Sequence, residues 1–495
     1  MTLYDSEKSI AEGQAQYESL LQFVKENATH LEAHEAEKEV FNRVLAIGLA
    51  AMKLYFAEKG SGDHGEQLIK NDKFYPRQPG FRTRSYSSVF GSLSIARTCY
   101  RRLGEPGIYP LDQEANLPER EYSYFLQELM NLMSIDHPFR DGANRLKQFF
   151  GAKWAASVLI HVAHGGTTDY DEYYEQKKAP EEKKEGEILV ASFDGKGVPM
   201  MKSEAAKIQA KQGKGEKKQK KKEALVGCSY SVNRHVRSPE DMTANLVYPE
   251  KQQEKKKANE SPKAKNIRRM ASVKRSKEDV MKEIRKDVEK RDPERKRPLV
   301  IVQDGATILW TLAIALFANW GDKYFILDII HVRDYLWDAA NALFGEGSEQ
   351  GKEWVKEKLE KILKGNVGYV IGALKQIIKK RNLTGKKQKA LQKAITYFEK
   401  HKDWMKYDVY LSEGLPIASG VVESACGSVV KNRMEGCGKR WSMDGAESVL
   451  ILRSLEKSDD FTNYWTFHIQ KEKERRYQSH KDLKYNAHKE LSMAV

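Results

Sequence analysis

The sequence predicts an α/β fold in which a mixed sheet flanked by helices is interrupted by an all-α segment and preceded by a mainly helical region. Three observations carry this prediction. Apolar runs of strand length recur between residues 186 and 332, the longest apolar run (residues 307–320) lies between two of them, and from Tyr335 to about Tyr410 only helical periodicity appears.

Taken in order, the chain first places apolar residues at helical spacing: Tyr17, Leu20, Leu21, Phe23 and Val24, then Val40, Phe41, Val44, Leu45 and Leu49. Two amphipathic helices follow from this, divided near Asn27, with Thr29 as candidate N-cap of the second. RTRSYSSVFGSLSIARTCYRR predicts a basic β-hairpin around Gly91, its second arm alternating Leu93, Ile95, Arg97 and Cys99. EYSYFLQELMNLM, PFRDGANRLKQFF and KWAASVLIHVAH then predict three short helices, the last two joined at Gly151. That pair reads as a helix-turn-helix whose second helix, Lys153 to His164, would contact DNA; an ordinary helical hairpin gives the same pattern. His161 and His164 lack Cys or carboxylate companions and read as helix residues.

From Gly186 strands take over. EILVASFDGKGV, EALVGCSYSV and TANLVYP predict an antiparallel meander, while RPLVIVQDGA, the apolar helix and KYFILDIIHV predict a strand-helix-strand unit with parallel strands. A mixed sheet of this kind with helices is the RNase H-like arrangement. Two Lys-rich segments, about 201–223 and 250–297, interrupt it and are expected to be solvated charge runs that can reach DNA phosphates without a fixed fold. Within the second, Val280, Ile284 and Val288 predict a helix over residues 276–290. After the all-helical segment, Gly414-Leu415-Pro416 breaks the pattern and Ser419 is a candidate N-cap for a new helix.

An excess of 85 Lys and Arg over 70 Asp and Glu, a formal charge of +15, favours a polyanionic partner: nucleic acid first, an anionic membrane surface second. At 495 residues the chain exceeds one core. The N-terminal residues carry no targeting pattern, and the longest apolar run falls short of the about 20 residues a membrane span needs. The expected location is the cytoplasm, without membrane contact. Cys99, Cys228, Cys426 and Cys437 form no CxxC pair and read as small buried hydrophobes.

Asp194 and Asp304 each terminate an apolar run and precede a glycine, and a charge buried there without a partner would be costly. Each alone also fits a turn, since Asp-Gly is a common turn dipeptide. Glu423 falls in the first turn of the helix after the all-α segment. In an RNase H-like sheet the first strand, the fourth strand and a late helix converge, so the three could share two Mg²⁺ or Mn²⁺ ions for phosphodiester chemistry.

SGVVESACGSVVKNRMEGCGKRWSMDGAESVLILRSL resembles the C-terminal signature of bacterial DDE-type insertion-sequence transposases, specifically the Kra group. QDGATILW with DIIHVRDYLWDAA resembles the middle signature of that group, and RTRSYSSVFGSLSIARTCYRR with YPLDQEANLP resembles its N-terminal region. The likeness spans about residue 80 to Trp465. It implies an RNase H-like catalytic core split by an α-helical insertion, as in the related Mutator-like transposases. It also implies cleavage at terminal inverted repeats and strand transfer into target DNA, with Asp194 in SFDGKG, Asp304 in VQDGA and Glu423 in VVESA as catalytic metal ligands. Asp328 and His331 match a supporting D-x-x-H motif, and His331 reads equally as a core histidine bonded to a neighbour. Lys431, Arg433, Arg440 and Trp441 are candidates for phosphate contact or base stacking at the transposon end, Trp441 reading equally as core.

The expected organisation is N-terminal helices (1–60), a DNA-binding region (61–180), the first part of the core (186–334), an all-α insertion (335–412), final core helices with Glu423 (413–465) and a charged tail (466–495). The expected partners are double-stranded DNA and a second copy in the synaptic complex. An RNase H-like nuclease or resolvase without strand transfer, or a non-catalytic DNA-binding protein, are the competing functions.

Overall fold

In the computed structural model, residues 4–207, 221–248, 261–436, 438–477 and 484–485 are described, and the chain divides into two units, Met1–Tyr173 with Thr462–Val495, and Tyr174–Phe461. The fold is mixed α/β.

The first unit opens with the helical hairpin α1 (Ser6–Asn27) and α2 (Ala33–Lys59). Asp5 caps α1 by accepting from Lys8 N at 2.9 Å. The second cap differs from expectation: the break runs past Thr29, and Glu32 with Glu35 forms a reciprocal capping box. By length and composition α2 is apolar enough to cross a membrane, and it is held to α1 by the Lys53–Glu12 ion pair. Strands β1 (Gln67–Lys70), β2 (Lys73–Ser88) and β3 (Gly91–Tyr100) form the expected hairpin with an added strand, and Lys484–Tyr485 pairs with β1.

After α3 (Pro110–Glu114), helices α4 (Tyr124–Asp136), α5 (Phe139–Phe150) and α6 (Ala156–Gly165) pack around Leu126, Met130, Leu146 and Leu159. Gly151 closes α5 in the left-handed conformation that glycine adopts without Cβ strain. Because Trp154 tucks against this core, the chain stays non-helical until Ala156, and Lys153 stands exposed in the connection instead of on a recognition helix. The unit continues into α7 (Tyr170–Gln176). The first part of the stretch expected as a charged tail belongs to helix Phe461–Tyr477, anchored by Tyr464 Oη donating to Gly166 O at 2.9 Å, and most of the rest lies outside the described residues.

The second unit holds the sheet. Its elements are β4 (Ile188–Pro199), α8 (Lys202–Ala205), β5 (Lys221–Val232), α9 (Pro239–Val247), β6 (Lys265–Ser272), α10 (Lys277–Arg291), β7 (Leu299–Gln303), α11 (Thr307–Phe317) and β8 (Lys323–Leu327). The strand order is β6-β5-β4-β7-β8, antiparallel from β6 to β4 and parallel from β4 to β8. The right-handed geometry of strand-helix-strand crossovers places α11 over β7 and β8, and Leu309, Trp310, Ala313 and Phe317 are its buried residues.

Two expectations fail here, the first through local capping and the second through packing between elements. TANLVYP is mostly helix, part of α9, because Ser238 accepts from Asp241 N at 3.0 Å and Pro239 occupies the first turn. The third meander strand is instead β6, inside the Lys-rich interval expected to be solvated. Its Arg268 is 5% exposed, stacked 3.9 Å from the Tyr174 ring and facing Glu283 and Asp287 of α10. The expected helix in that interval is α10, with Val280, Ile284 and Val288 fully buried. The remaining Lys-rich positions, 208–220 and 249–260, lie outside the described residues.

Helices α12 (Ile329–Phe344), α13 (Glu349–Leu363), α14 (Val367–Lys380), α15 (Gly385–His401) and α16 (Tyr407–Ser412) follow. They are not a separate layer: Val300, Val302 and Ile326 of the sheet share one apolar cluster with Leu336, Leu359, Leu374 and Phe398. Trp310 stacked on Trp404, centroids 4.0 Å apart, ties α11 to the end of this block. The unit ends with α17 (Gly420–Ala425), a π-turn Cys426–Lys431, α18 (Asn432–Met434) and α19 (Met443–Lys457).

Candidate active site

Asp304 directly follows β7, as its apolar run predicts, and its Oδ1 accepts from Ala306 N at 3.0 Å, a two-residue Asx turn that starts α11. Asp194 does not end its strand. Strand β4 continues to Pro199 against β5, while its ladder with β7 stops at Ala191 and Ile301, so Asp194 stands where the parallel neighbours have separated. Asp194 accepts from its neighbour Gly195 N at 2.6 Å and from the Cys426 thiol at 3.2 Å. Burial and the adjacent Asp194 carboxylate push the Cys426 thiol up, so it remains a proton donor.

Asp328 follows β8 and is fully buried. Its backbone N donates to Gln303 O at 3.0 Å, so the chain positions preceding Asp304 and starting α12 are joined directly. Its carboxylate caps α12 by accepting from Ile330 N at 2.8 Å and accepts from the Ser419 hydroxyl. Tyr407 Oη, donating to Leu327 O at 2.7 Å, fixes this strand end from the helical block. His331 lies one helical turn on from Asp328. Glu423 occupies the first turn of α17 and also receives Ser419 Oγ at 3.4 Å. Ser419 therefore does not cap its helix through its side chain as expected; it bridges two carboxylates.

Ligand atoms of Asp328, His331 and Glu423 lie within 4.8 Å of one another, a set that could hold a metal ion. Asp304 joins it electrostatically: burial first, then Asp194 and Asp328, raise its carboxyl above the usual range, against the Ala306 N–H and His331. Glu423 is exposed as a residue, yet desolvation and the nearby Asp328 raise its carboxyl too. Among the described residues no Lys or Arg is ion-paired with any of these four carboxylates. Two carboxyls raised by burial and by neighbouring carboxylates, without a cationic side chain, need a proton or a cation beside them. The four carboxylates are oxygen donors that suit Mg²⁺ or Mn²⁺.

The other candidates separate. Lys431 and Arg440 are exposed. Arg433 and Trp441 are 2% and 6% exposed, stacked with the guanidinium 4.7 Å from the ring, and Trp441 Nε1 donates to Met434 O at 3.0 Å. Trp441 also pairs with Met200 beyond the end of β4, so this pair holds α18 and α19 to the sheet and is not free to stack on a base. Cys99, Cys228 and Cys426 are free and buried; Cys437 lies outside the described residues.

Sequence reasoning missed the roles of Ser419 and Cys426. Both were signalled by spacing, since i−4 and i+3 from Glu423 share its helical face. It also missed the wall opposite Asp304. A cleft of about 600 Å³ is lined by Asp304, Gly305 and His331 on one side and by Lys389, Lys393, Tyr397 and Lys400 of α15 on the other, with Tyr335 between.

No protein-family model matches the chain, and no curated protein matches it. Among solved structures it is similar to the Drosophila P element transposase strand transfer complex, with 10% identity and a TM-score of 0.24, covering 69% of this chain and 80% of that chain.

Proposed function

We propose that the chain is a DDE-type transposase of the Kra kind, with an RNase H-like core that cleaves DNA at the terminal inverted repeats of its element and joins the ends to target DNA. The observation that carries the reading is the meeting of Asp194, Asp304, Asp328, His331 and Glu423 beside strands in the order β6-β5-β4-β7-β8, uncompensated by Lys or Arg among the described residues. An antiparallel meander followed by two parallel strands supports an RNase H-like core. The raised carboxyls support a cation site over a structural ion-pair network, because an ion pair would lower them.

Asp194, Asp304 and Glu423 would hold the divalent ions. When bound, Mg²⁺ or Mn²⁺ supplies a Lewis acid that activates the attacking hydroxyl and stabilises the leaving oxygen. The chain's own residues prepare that binding. Cys426 and the Gly195 N–H orient Asp194, the Ala306 N–H orients Asp304, and Ser419 holds Glu423 beside Asp328. Asp328 and His331 would support the site from the start of α12.

The test is an in vitro reaction of the full chain with its element's end DNA, target DNA and Mg²⁺. Cleavage and joining are expected, both lost in Asp194→Asn, Asp304→Asn and Glu423→Gln. Cleavage without joining would indicate the nuclease instead, and unchanged activity in Asp194→Asn would refute the carboxylate assignment.

A further inference from the structure

We infer that the cleft between α12 and α15 is the binding site for a DNA strand, holding its backbone phosphates on Lys389, Lys393 and Lys400 as the strand reaches Asp304. This rests on the nucleic-acid reading of the same site and adds what holds the substrate there. The cleft, about 600 Å³, contains Asp304 and His331 in its own lining, so its occupant is delivered to the carboxylates without a further channel. That volume falls in the range of small-ligand sites and suits a few nucleotides of one strand.

Charge picks the ligand. From Val367 to His401 the chain carries nine Lys and Arg against one carboxylate, Glu399, and Glu399 is already paired with Lys375. Lys389, Lys393 and Lys400 follow one another at i, i+4 and i+11, which places them along one face of α15. All three are exposed. Lys393 is steered by Asp338 at 3.2 Å and by the Tyr335 ring at 4.8 Å, and Lys400 by Thr307 Oγ1. A carboxylate cluster by itself repels phosphate; a lysine wall across a narrow cleft supplies the compensating attraction, one released counterion per contact.

The floor of the cleft is built and not merely exposed. Tyr335 stacks on Tyr397 with centroids 4.0 Å apart and 17° between planes, and Lys393 lies over the Tyr335 ring, so the aromatic pair and the lysine form one wall. His401 is 2% exposed, lines the cleft, and has Nδ1 against Tyr397 O at 2.8 Å. Gly305 lets this floor approach Asp304: a Cβ there would collide with the Tyr397 ring and lie 2.9 Å from His401 Cε1.

The experiment is fluorescence anisotropy of the full chain with a labelled 30-nucleotide single-stranded DNA in EDTA, titrated between about 50 and 200 mM NaCl. For Lys389→Gln/Lys393→Gln/Lys400→Gln, affinity is expected to fall at least tenfold at about 100 mM salt, with the salt slope shallower by about 2. The matching triple Arg variant is expected to bind like the native chain. Unchanged affinity and slope in the Gln variant would overturn the inference, as would equal loss in the Arg variant, which would indicate a structural role. Asp304→Asn separates this from the catalytic reading: it keeps the lysine wall, so binding in EDTA holds or strengthens while metal-dependent cleavage is lost. A native chain that never cleaves DNA would refute the transposase reading and leave this binding result standing.

Discussion

Arg291→Met is expected to destabilise the second unit by about 3–5 kcal/mol, the cost of leaving one member of a buried ion pair uncompensated. Arg291 and Glu185 have side chains 2% and 1% exposed, and the guanidinium meets the carboxylate with two parallel bonds, Nε to Oε1 and Nη2 to Oε2, each 2.7 Å. Arg291 also reaches Asn266 O at 3.2 Å, and Ser231 donates to Glu185, so one pair joins α10, β5, the start of β6 and the approach to β4. Burial alone would push the Glu185 carboxyl up; the Arg291 contacts outweigh it and hold it below its ordinary value. A depressed carboxylate contributes stability that is present above the unfolded value, near 4.5, and is lost as pH falls through the folded one. In the Met variant the burial effect is unopposed, so Glu185 is easier to protonate and the gap to the native chain narrows at low pH.

The assay is urea unfolding followed by tryptophan fluorescence; Trp320, whose indole donates to Arg297 O at 3.0 Å, reports on the connection from α10 to β7. The midpoint is expected to fall by roughly 1 M or more at pH 7. Glu185→Gln/Arg291→Met, which removes both charges, is expected to recover much of the loss. A loss below about 1 kcal/mol at pH 7, or a gap that stays constant down to pH about 3.5, would refute the reasoning.

Ser419→Ala removes the hydroxyl between Asp328 and Glu423 and is expected to weaken Mn²⁺ binding by about 10–100-fold, measured by calorimetry, with the fold unchanged by circular dichroism. Gly305→Ala is expected to cost about 1–3 kcal/mol from overpacking against Tyr397 and His401, read as a lowered melting temperature. Trp441→Ala is expected to lower stability by about 3–5 kcal/mol, because it empties a buried site holding α18 and α19 to the sheet. Arg440→Gln at the exposed neighbouring position should leave the melting temperature within about 1 °C; if the two variants behave alike, the structural assignment of Trp441 fails.

Sequence alone determined the elements whose signal is local. The β2–β3 hairpin, α4 to α6, the strand-helix-strand unit β7-α11-β8, α10 and the helical block were legible because periodicity and caps act within a few residues. The strand-end position of Asp304 was legible for the same reason, from the fully apolar run that precedes it. What tertiary structure decided was where charge is neutralised. The interval 261–297 read as solvent-facing from its lysines and arginines, yet Arg268 and Arg291 are buried there because Asp287, Glu283 and Glu185 meet them from other elements. Arg433 read as a DNA contact and Trp441 as either a DNA contact or core, and packing places both inside. The same holds for the site: Ser419 and Cys426 acquire roles only when α17 is laid beside β4 and α12, and the lysines of α15 only when that helix faces Asp304 across a cleft. Composition sets how many charges a chain carries; which of them meet a counter-charge, a carboxylate cluster or open solvent depends on distances between residues remote in sequence, and Coulomb energies are set by those distances and by burial.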